Sequence, residues 1–369
     1  MKRAAAAAIS LMTGLAMLTG CSRAEVEETI QPLVADAIEE SDSEAEAVKE
    51  EDESPLIPEI DTDVKIHAGS RIAVVSKCVK GEYWKMVKKG MEDAVKEINN
   101  AYGYKKDDQI TMTFEGPDNE EDVETQINTI DAVIAENPDV LCISASDMDS
   151  CEAQLEAAKE NGIPVIAFDS NVAEKKLVKA YRGTDNVQVG KMAAYQLGSA
   201  LGKMGKVAVF SAQQKTKSVQ DRVEGFMNNI GKYGDIEVVE TIYSDQVDDM
   251  EASMKEVLEK YPTLDGVFCT NADITEMYLE LDKGDVKDAP ALVGVDATTK
   301  QQEAIRNGEE IGCVSQQSYA MGYQTIWAAV ETTAPKKSVT IEKELLLNPA
   351  WIDAGNLDDP DSSAYLYAE

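Results

Sequence analysis

Histidine and basic residues are scarce in this chain. It has one histidine, His67, and 35 Lys and Arg against 69 Asp and Glu, a formal net charge of −34. With one histidine, a multi-histidine metal site or catalysis by a histidine base is nearly excluded. Binding to nucleic-acid phosphates requires clustered Lys and Arg, so we expect no nucleic-acid partner.

The cysteines form no recognisable framework. The sequence has six, and the five beyond the N-terminal apolar run show no CxxC spacing. An odd number without that spacing argues against a zinc cluster and against a complete disulfide framework. Cys78 lies in a predicted loop where its thiol could be exposed, and a Cys78–Cys151 disulfide stays an open alternative. The others fall in predicted strands and are expected to be small buried hydrophobic residues: Cys142, Cys269 and Cys313.

Cofactor motifs are missing too. The glycines of residues 198–205 follow a predicted helix rather than a strand, and no Walker pattern occurs, so a helix cap and turn explain them better than a nucleotide loop. The acidic clusters at 245–249 and 358–361 lack the glycine and terminal glutamate of a calcium loop. We therefore expect no cofactor and no bound metal ion.

An apolar run follows a basic dipeptide at the N-terminus. Lys2-Arg3 precedes residues 4–18, a run too short to span a membrane comfortably. It ends in Leu18-Thr19-Gly20-Cys21, which resembles the lipobox of bacterial lipoproteins. This predicts a signal peptide over residues 1–20 and lipidation of Cys21; the alternative is an ordinary signal peptide with an incidental cysteine. The mature protein would be lipid-anchored on the extracytoplasmic face of the cell membrane.

A strongly acidic segment separates this signal from the rest of the chain. Residues 22–68 contain sixteen Asp and Glu against three Lys and Arg, with few large apolar residues. Such a composition cannot bury enough apolar surface to fold, so residues 21–68 are predicted to be a lipidated cysteine followed by a disordered acidic tether. A flexible coil of this length reaches roughly 40 Å, which would hold a folded domain clear of a lipid surface.

From Arg71 onward, short apolar β-rich runs alternate with longer amphipathic segments. This alternation predicts an α/β fold of two doubly wound parallel-sheet lobes, with strands buried on both faces. Strands are predicted at 72–76, 110–114, 140–144, 165–168, 207–211, 237–243, 266–270, 292–295, 311–315 and 340–346. Helices are predicted at 82–100, 121–136, 150–161, 187–201, 218–233, 248–260, 274–283, 299–307 and 319–332.

The carboxyl ends of the predicted strands are polar. Doubly wound sheets bind ligands at these ends, so the site is expected there. Asp169 and Asp296 stand out because each directly follows an apolar strand in a matching context, Val165-Ile-Ala-Phe and Leu292-Val-Gly-Val. Helix caps and turns alone would account for about half of the other polar strand ends, which include Ser144, Asn271 and Gln316.

An ordered set of segments resembles the periplasmic binding protein type 1 family, in its ribose- and galactose-binding branch. The resemblance covers residues 70 to 347 and is carried by Arg71-Ile-Ala-Val-Val-Ser76, Asn161-Gly-Ile-Pro-Val-Ile-Ala-Phe-Asp169, Thr184-Asp185-Asn186, Arg222-Val-Glu-Gly-Phe226, Val267-Phe-Cys-Thr-Asn271 and Val293-Gly-Val-Asp296. It implies a first lobe of residues 69–184 and 317–346 and a second lobe of 185–316 and 347–369. Three hinge crossings are implied near Thr184, Gln316 and Leu347, with ligand held by hinge closure.

The resemblance also implies a set of ligand-binding residues. Asp169 would accept hydrogen bonds from ligand hydroxyls in the first lobe, and Asn271 and Asp296 would do so from the second. Arg222 would bind ligand or form a structural salt bridge, and Gln316 would touch ligand at a hinge. The remaining members are Ser144 at a strand end and the pair Tyr83 and Trp84, one of which would stack on a sugar face unless both only pack at a helix start.

Two departures from the family pattern concern the ligand. Many ribose-binding relatives have an arginine where this chain has Ser170, and the loop 77–82 lacks the usual Asn-Pro. A pentose is therefore not implied over other small polar ligands.

These observations predict a substrate-binding lipoprotein of an ABC importer, with a monosaccharide as preferred ligand, a permease as partner and a monomeric state. The alternative is a sensory receptor of the same fold that presents a sugar or furanosyl signal to a membrane kinase or chemoreceptor. A lipid-anchored hydrolase is disfavoured because Asp169 and Asp296 would come from opposite lobes without a recognisable acid and nucleophile, so no catalytic residue is assigned. A sugar-responsive transcription regulator is opposed by the export signal and the missing helix-turn-helix.

Overall fold

The computed structural model describes residues 57–281, 289–335 and 339–368. The predicted signal peptide, Cys21 and most of the predicted tether lie outside these residues. Among the described helices, none combines the length and the apolar character that crossing a membrane requires.

Two six-stranded sheets organise the described chain. Sheet 1 has the order β11-β5-β4-β3-β1-β2 and all its pairs are parallel. Its strands are β1 (Arg71–Val75), β2 (Thr111–Glu115), β3 (Val140–Ile143), β4 (Val165–Phe168), β5 (Ala180–Thr184) and β11 (Glu344–Leu347).

Sheet 2 repeats this plan with the order β12-β10-β9-β8-β6-β7. Only its edge strand β12 is antiparallel, pairing with β10 through Cys313 and Ile352. Its strands are β6 (Met204–Ser211), β7 (Asp235–Tyr243), β8 (Gly266–Cys269), β9 (Ala291–Val295), β10 (Gly312–Ser315) and β12 (Ala350–Ile352).

Helices cover both faces of each sheet. The described helices are α1 (Glu82–Tyr102), α2 (Val123–Ala135), α3 (Glu152–Glu160), α4 (Asn186–Ala200), α5 (Lys217–Ile230), α6 (Met250–Lys260), α7 (Ala272–Glu280), α8 (Thr299–Asn307) and α9 (Ser318–Thr332). On sheet 1, α1 and α9 bury one face while α2 and α3 bury the other; on sheet 2, α4 and α5 lie opposite α6 and α7.

Within the described residues the chain passes between the two sheets three times, after β5, after β10 and between β11 and β12. Parallel strands joined by helices in each half, together with the returning segments, give the doubly wound architecture. The predicted α/β fold with two parallel-sheet units is confirmed.

Several elements differ from the prediction. Strand β5 was not predicted, because Arg182 and Gly183 interrupt its apolar run, yet all five of its residues are buried. The short edge strand β12 was not predicted either. The expectation that every strand is buried on both faces is wrong for β2, where exposed and half-buried residues alternate because it lies at the edge of sheet 1.

Packed structure begins earlier in the chain than predicted, in the segment before β1. Ile60 and Val64 lie against the apolar core of sheet 1, and Ile66 is 8% exposed within it. The hydroxyl of Tyr102 donates to the backbone oxygen of Val64 at 2.7 Å, and that of Tyr104 to Ile66 at 3.2 Å. The predicted tether of 21–68 therefore overlaps a packed segment at its end.

None of the described cysteines forms a disulfide, and all of them are buried. Cys78 is 6% exposed, so the expectation that it could be exposed is wrong, and the structure contains no bridge between Cys78 and Cys151. Cys142, Cys269 and Cys313 are each fully buried in a strand, where they act as small hydrophobic side chains.

Candidate functional site

A cavity of ≈ 310 Å³ lies between the two sheets at the carboxyl ends of their strands. It falls at the lower end of the roughly 300–1,000 Å³ that small-molecule pockets span. Residues directly after β1, β4, β8, β9 and β10 line it, in the place expected for a doubly wound fold. They include Lys77, Asp169, Asn271, Asp296 and Gln316.

Asp169 is a carboxylate of the sheet 1 wall that is held by hydrogen bonds and an ion pair. It is 3% exposed and accepts hydrogen bonds from the hydroxyls of Tyr83 at 2.7 Å and Ser144 at 2.8 Å. The ammonium group of Lys77 lies 3.0 Å from its Oδ2. Burial opposes ionisation, but the Lys77 charge and the Tyr83 hydrogen bond outweigh it and lower the pKa of Asp169. The Asp169 carboxylate is therefore negatively charged, and its partners hold it in one position.

Asp296 is its counterpart on the sheet 2 wall. It is 3% exposed. Its Oδ1 accepts from Gln316 Nε2 at 2.7 Å and from the Tyr367 hydroxyl at 3.0 Å, and its Oδ2 accepts from the backbone N–H of Ala272 at 3.0 Å. All of these donors are neutral. The carboxylate is held in place without a cation among these partners.

Asp169 and Asp296 share an unusual backbone conformation. Their φ angles are 54° and 78°, in the left-handed region that residues with a side chain rarely adopt. Each directly follows a strand, and the residues at the carboxyl end of that strand are fully buried. Strain of this kind, placed twice at matching strand ends, is typical of sites that hold a side chain in one orientation for ligand contact.

Arg222 and Asn271 both line the cavity from the sheet 2 side. Arg222 is 3% exposed, and its guanidinium donates to Asn186 Oδ1 at 2.7 Å and to the backbone oxygen of Thr270 at 2.7 Å. These partners are neutral, so the alternative of a structural salt bridge is wrong. Asn271 caps α7 by accepting from the N–H of Ile274 at 3.1 Å, which uses its side-chain oxygen for structure.

The predicted aromatic pair lies at the start of α1 with both side chains buried. Tyr83 and Trp84 meet edge to face at 5.0 Å, and both contribute to the cavity wall. The indole N–H of Trp84 donates to Glu120 Oε1 at 2.8 Å, which fixes the ring. Tyr83 is 7% exposed and Trp84 3%, so both also serve as core residues. Stacking of a ligand on one of the rings stays a prediction.

Of the eight predicted ligand residues, seven line the cavity and Ser144 does not. Ser144 is fully buried behind Asp169, where its hydroxyl orients the carboxylate. Gln316 is 2% exposed, and its side-chain oxygen has no hydrogen-bond partner among the described residues. The role of all eight in ligand binding remains a prediction.

Several groups at the cavity were missed by the sequence analysis. Lys77 directly follows the first strand end, a signal that could have identified it. Both Glu120 and Asp273 line the cavity. Glu120 lies at no predicted strand end, whereas Asp273 lies in the polar segment after the predicted strand 266–270 but is not among the predicted ligand residues. Tyr367 lies in the C-terminal tail, and only the fold places its hydroxyl beside Asp296.

Contacts between the sheet 1 and sheet 2 sides close the edge of the cavity. Glu82 Oε2 accepts from the N–H of Thr299 at 2.7 Å at the start of α8. The hydroxyls of Ser170 and Ser218 are 2.6 Å apart. Two further contacts reach backbone oxygens, from Thr216 to Ser146 at 2.6 Å and from Gln213 to Glu120 at 2.9 Å. The two sides are therefore in direct polar contact around the site.

Comparison with known proteins places the chain in a family. The family described as Periplasmic binding protein domain matches residues 72–337, so the chain belongs to it. The chain is distantly homologous to ribose-, allose- and other sugar-binding proteins of ABC transporters.

Individual relatives align with more than half of the chain. A ribose import binding protein of Bacillus subtilis (strain 168) is 26% identical over 220 residues, which cover 60% of this chain and 71% of that protein. A D-allose-binding periplasmic protein of Escherichia coli (strain K12) is 21% identical over 75% of this chain and 88% of that protein.

A solved structure shows the same architecture. It is an ABC transporter solute binding protein of Agrobacterium vitis with bound D-fucose, 26% identical, with a TM-score of 0.73 over 81% of this chain and 100% of that chain. Each of these three relatives is named as a binding protein and none as an enzyme, in agreement with the prediction that the chain is not an enzyme.

Proposed function

We propose that this protein is the extracytoplasmic solute-binding component of an ABC importer and that it holds a monosaccharide in the cavity between its sheets. The observation that carries this proposal is the meeting of Asp169 and Asp296, one from each sheet, in one cavity and with the same strained backbone. The relatives named for ribose and allose, and the structure with bound D-fucose, support a sugar as the class of ligand.

The lining matches the chemistry of a sugar. Paired hydroxyls both donate and accept, so their site needs charged acceptors and charged donors in fixed positions. Asp169 and Asp296 supply acceptors, while Arg222 and Lys77 supply donors. The buried rings of Tyr83 and Trp84 add apolar surface beside these groups, as the C–H faces of a sugar require.

The two predicted lobes, residues 69–184 with 317–346 and residues 185–316 with 347–369, would close on the ligand by hinge bending. The polar contacts from Glu82 to Thr299 and between Ser170 and Ser218 would form on closure. A ligand that touches both walls stabilises the closed form by its extra contacts there. A permease would recognise the closed form. A lipid on Cys21 would keep the protein, as a monomer, at the membrane.

The test is isothermal titration calorimetry of the purified protein against aldopentoses, aldohexoses, disaccharides, polyols and nucleosides. We expect one sugar class to bind, with affinity lost in Asp169→Asn and in Asp296→Asn. The control is Asp248→Asn, an exposed residue that does not line the cavity. Binding of a nucleoside alone would leave a solute-binding protein but remove the sugar from the proposal.

A further inference from the structure

The cavity wall carries an excess of negative charge. Seven lining residues are acidic and four are basic. The acidic ones are Glu82, Asp118, Glu120, Asp169, Asp273, Glu276 and Asp296, and the basic ones are Lys77, Lys80, Lys85 and Arg222. A neutral monosaccharide does not require this excess of negative charge. The position of the excess charge along the wall therefore indicates which kind of ligand the cavity binds.

Two of the four basic lining residues are already paired with particular carboxylates. Lys77 lies 3.0 Å from Asp169 and 3.7 Å from Glu120, and both the lysine and Asp169 are buried. Lys80 pairs with Asp118 at 2.6 Å, where both side chains are more than half exposed at the rim. Lys85 and Arg222 form no ion pair with a described residue. Among the described residues, Arg222 is the one lining cation on the sheet 2 wall, which carries three of the seven carboxylates, so this wall keeps a net negative charge.

That wall is formed by the start of α7 and the end of β9. Glu276 accepts from the hydroxyl of Thr298 at 2.6 Å, and Asp296 is bonded by neutral donors only. The carboxylate of Asp273 has no hydrogen bond or ion pair with any described residue, and it is exposed to the cavity. These three acidic side chains have no cation paired with them among the described residues.

The electrostatics agree with this distribution. The protein around Asp273 partly desolvates its carboxylate although the residue is exposed to the cavity. The charges of Glu120, Glu276 and Asp296 act in the same direction, so the pKa of Asp273 is raised. An added cation would relieve this repulsion.

A second observation at the same cavity concerns an amide rather than a carboxylate. Gln316 is 2% exposed, and its Nε2 donates to Asp296, which accepts only. This hydrogen bond fixes the amide orientation and leaves Oε1 buried without a donor among the described residues. A buried acceptor of this kind costs free energy until a ligand donates to it.

We propose, on the basis of the function proposed above, that the preferred ligand is an amino sugar whose protonated primary amine binds beside Asp273 and Glu276. An ammonium group has three donors and no acceptor, so it matches a wall made of acceptors. The hydroxyls of the same ligand would face Asp169, Arg222 and Gln316 Oε1. The site would therefore recognise one charged substituent in addition to the sugar ring.

The test compares D-glucosamine, D-galactosamine and D-mannosamine with their parent hexoses and their N-acetyl derivatives by calorimetry at pH 7. We expect one ammonium sugar to bind about tenfold to a hundredfold more tightly than its parent hexose and its N-acetyl derivative, the range that a hydrogen bond to a charged group provides. Its affinity should fall as salt is added, whereas that of the parent hexose should not.

Variants locate the charge contact. Asp273→Asn and Glu276→Gln should lower the affinity for the ammonium sugar much more than the affinity for the parent hexose, and so remove most of the preference. The matched control, Glu256→Gln, removes one exposed carboxylate on α6 that does not line the cavity and should leave the preference intact.

The outcomes separate this inference from the proposed function. Parent hexoses that bind as tightly as the ammonium sugars overturn the amino-sugar inference and leave a sugar-binding protein. A calcium ion that raises the melting temperature through Asp273, with no effect of ammonium sugars, also overturns it. Failure of every sugar to bind overturns the proposed function itself.

Discussion

The hydroxyl of Tyr367 donates to Oδ1 of Asp296 at 3.0 Å, across a separation of 71 residues. Tyr367 is 2% exposed, and its ring lies 5.8 Å from that of Tyr83. Burial and the charge of Asp296 hold the pKa of Tyr367 well above its usual range, so the hydroxyl remains a donor. The C-terminal tail thus joins an aromatic residue of the sheet 1 wall to the carboxylate of the sheet 2 wall.

Replacing Tyr367 by phenylalanine should weaken sugar binding. The change removes one donor from Asp296 and costs about 1 kcal/mol, or roughly a fivefold loss of affinity measured by calorimetry. Tyr365→Phe is the control, since it removes a hydroxyl from the same tail without affecting the Asp296 contact. An unchanged affinity in Tyr367→Phe would show that the tail does not position Asp296 for binding.

Removing Lys77 should destabilise the fold. In Lys77→Met the buried Asp169 loses its cation, and breaking a buried pair costs about 3 kcal/mol or more. The free energy of unfolding in urea measures the loss. The double variant Lys77→Met with Asp169→Asn should recover part of it because neither member of this buried pair is then left as an unpaired charge. A double variant less stable than Lys77→Met would contradict the ion-pair account.

Glu310 should make the folded state less stable as pH rises. It is 1% exposed, and burial raises its pKa to about 8. Between its ordinary pKa and about 8 the folded state keeps a proton that the unfolded state releases, so the free energy of unfolding falls with pH across this window. The difference in free energy of unfolding between Glu310→Gln and the wild type should therefore shift in favour of the variant by a few kcal/mol from pH 5 to pH 8.

The control for Glu310 is its exposed neighbour Glu309. Urea denaturation at pH 5, 6.5 and 8 should give parallel curves for the wild type and Glu309→Gln. A Glu310→Gln variant whose stability follows the wild type at all three values would mean that Glu310 is ionised in the fold.

Two glycines on α4 and α5 allow these helices to cross closely. A Cβ on Gly190 would lie 1.9 Å from the backbone oxygen of Arg222, and one on Gly225 would lie 2.2 Å from that of Val187. Gly190→Ala should push α5 away and displace Arg222, so we expect both a lower melting temperature and weaker sugar binding. Gly234→Ala is the control, because a Cβ there meets nothing within 4 Å.

Lipidation of Cys21 predicts a clear change of partition. The wild-type protein, expressed in a bacterial host, should enter the detergent phase and gain the mass of a diacylglyceryl group on Cys21. Cys21→Ala should stay in the aqueous phase. Aqueous partition of the wild-type protein would leave the ordinary signal-peptide alternative.

The fold could be predicted because its signals are local. Apolar runs such as residues 165–168 and 292–295 are long enough to be recognised as buried strands, and the helices between them keep their amphipathic spacing. The elements that escaped, β5 and β12, are short or contain polar residues and owe their existence to pairing with β4 and β10. Pairing partners are not visible in a local pattern.

The alternation of strands and helices in the sequence predicted two doubly wound sheets with Asp169 and Asp296 at strand ends. These features follow from local periodicity and from the place where doubly wound sheets bind ligands. Three relationships appear only in the folded structure: Lys77 pairs with Asp169, Tyr367 returns to Asp296, and Asp273 faces the cavity with no cation paired to it among the described residues. Side-chain pairs and uncompensated charge depend on distances between segments far apart in the chain, and those distances exist only once the chain is folded.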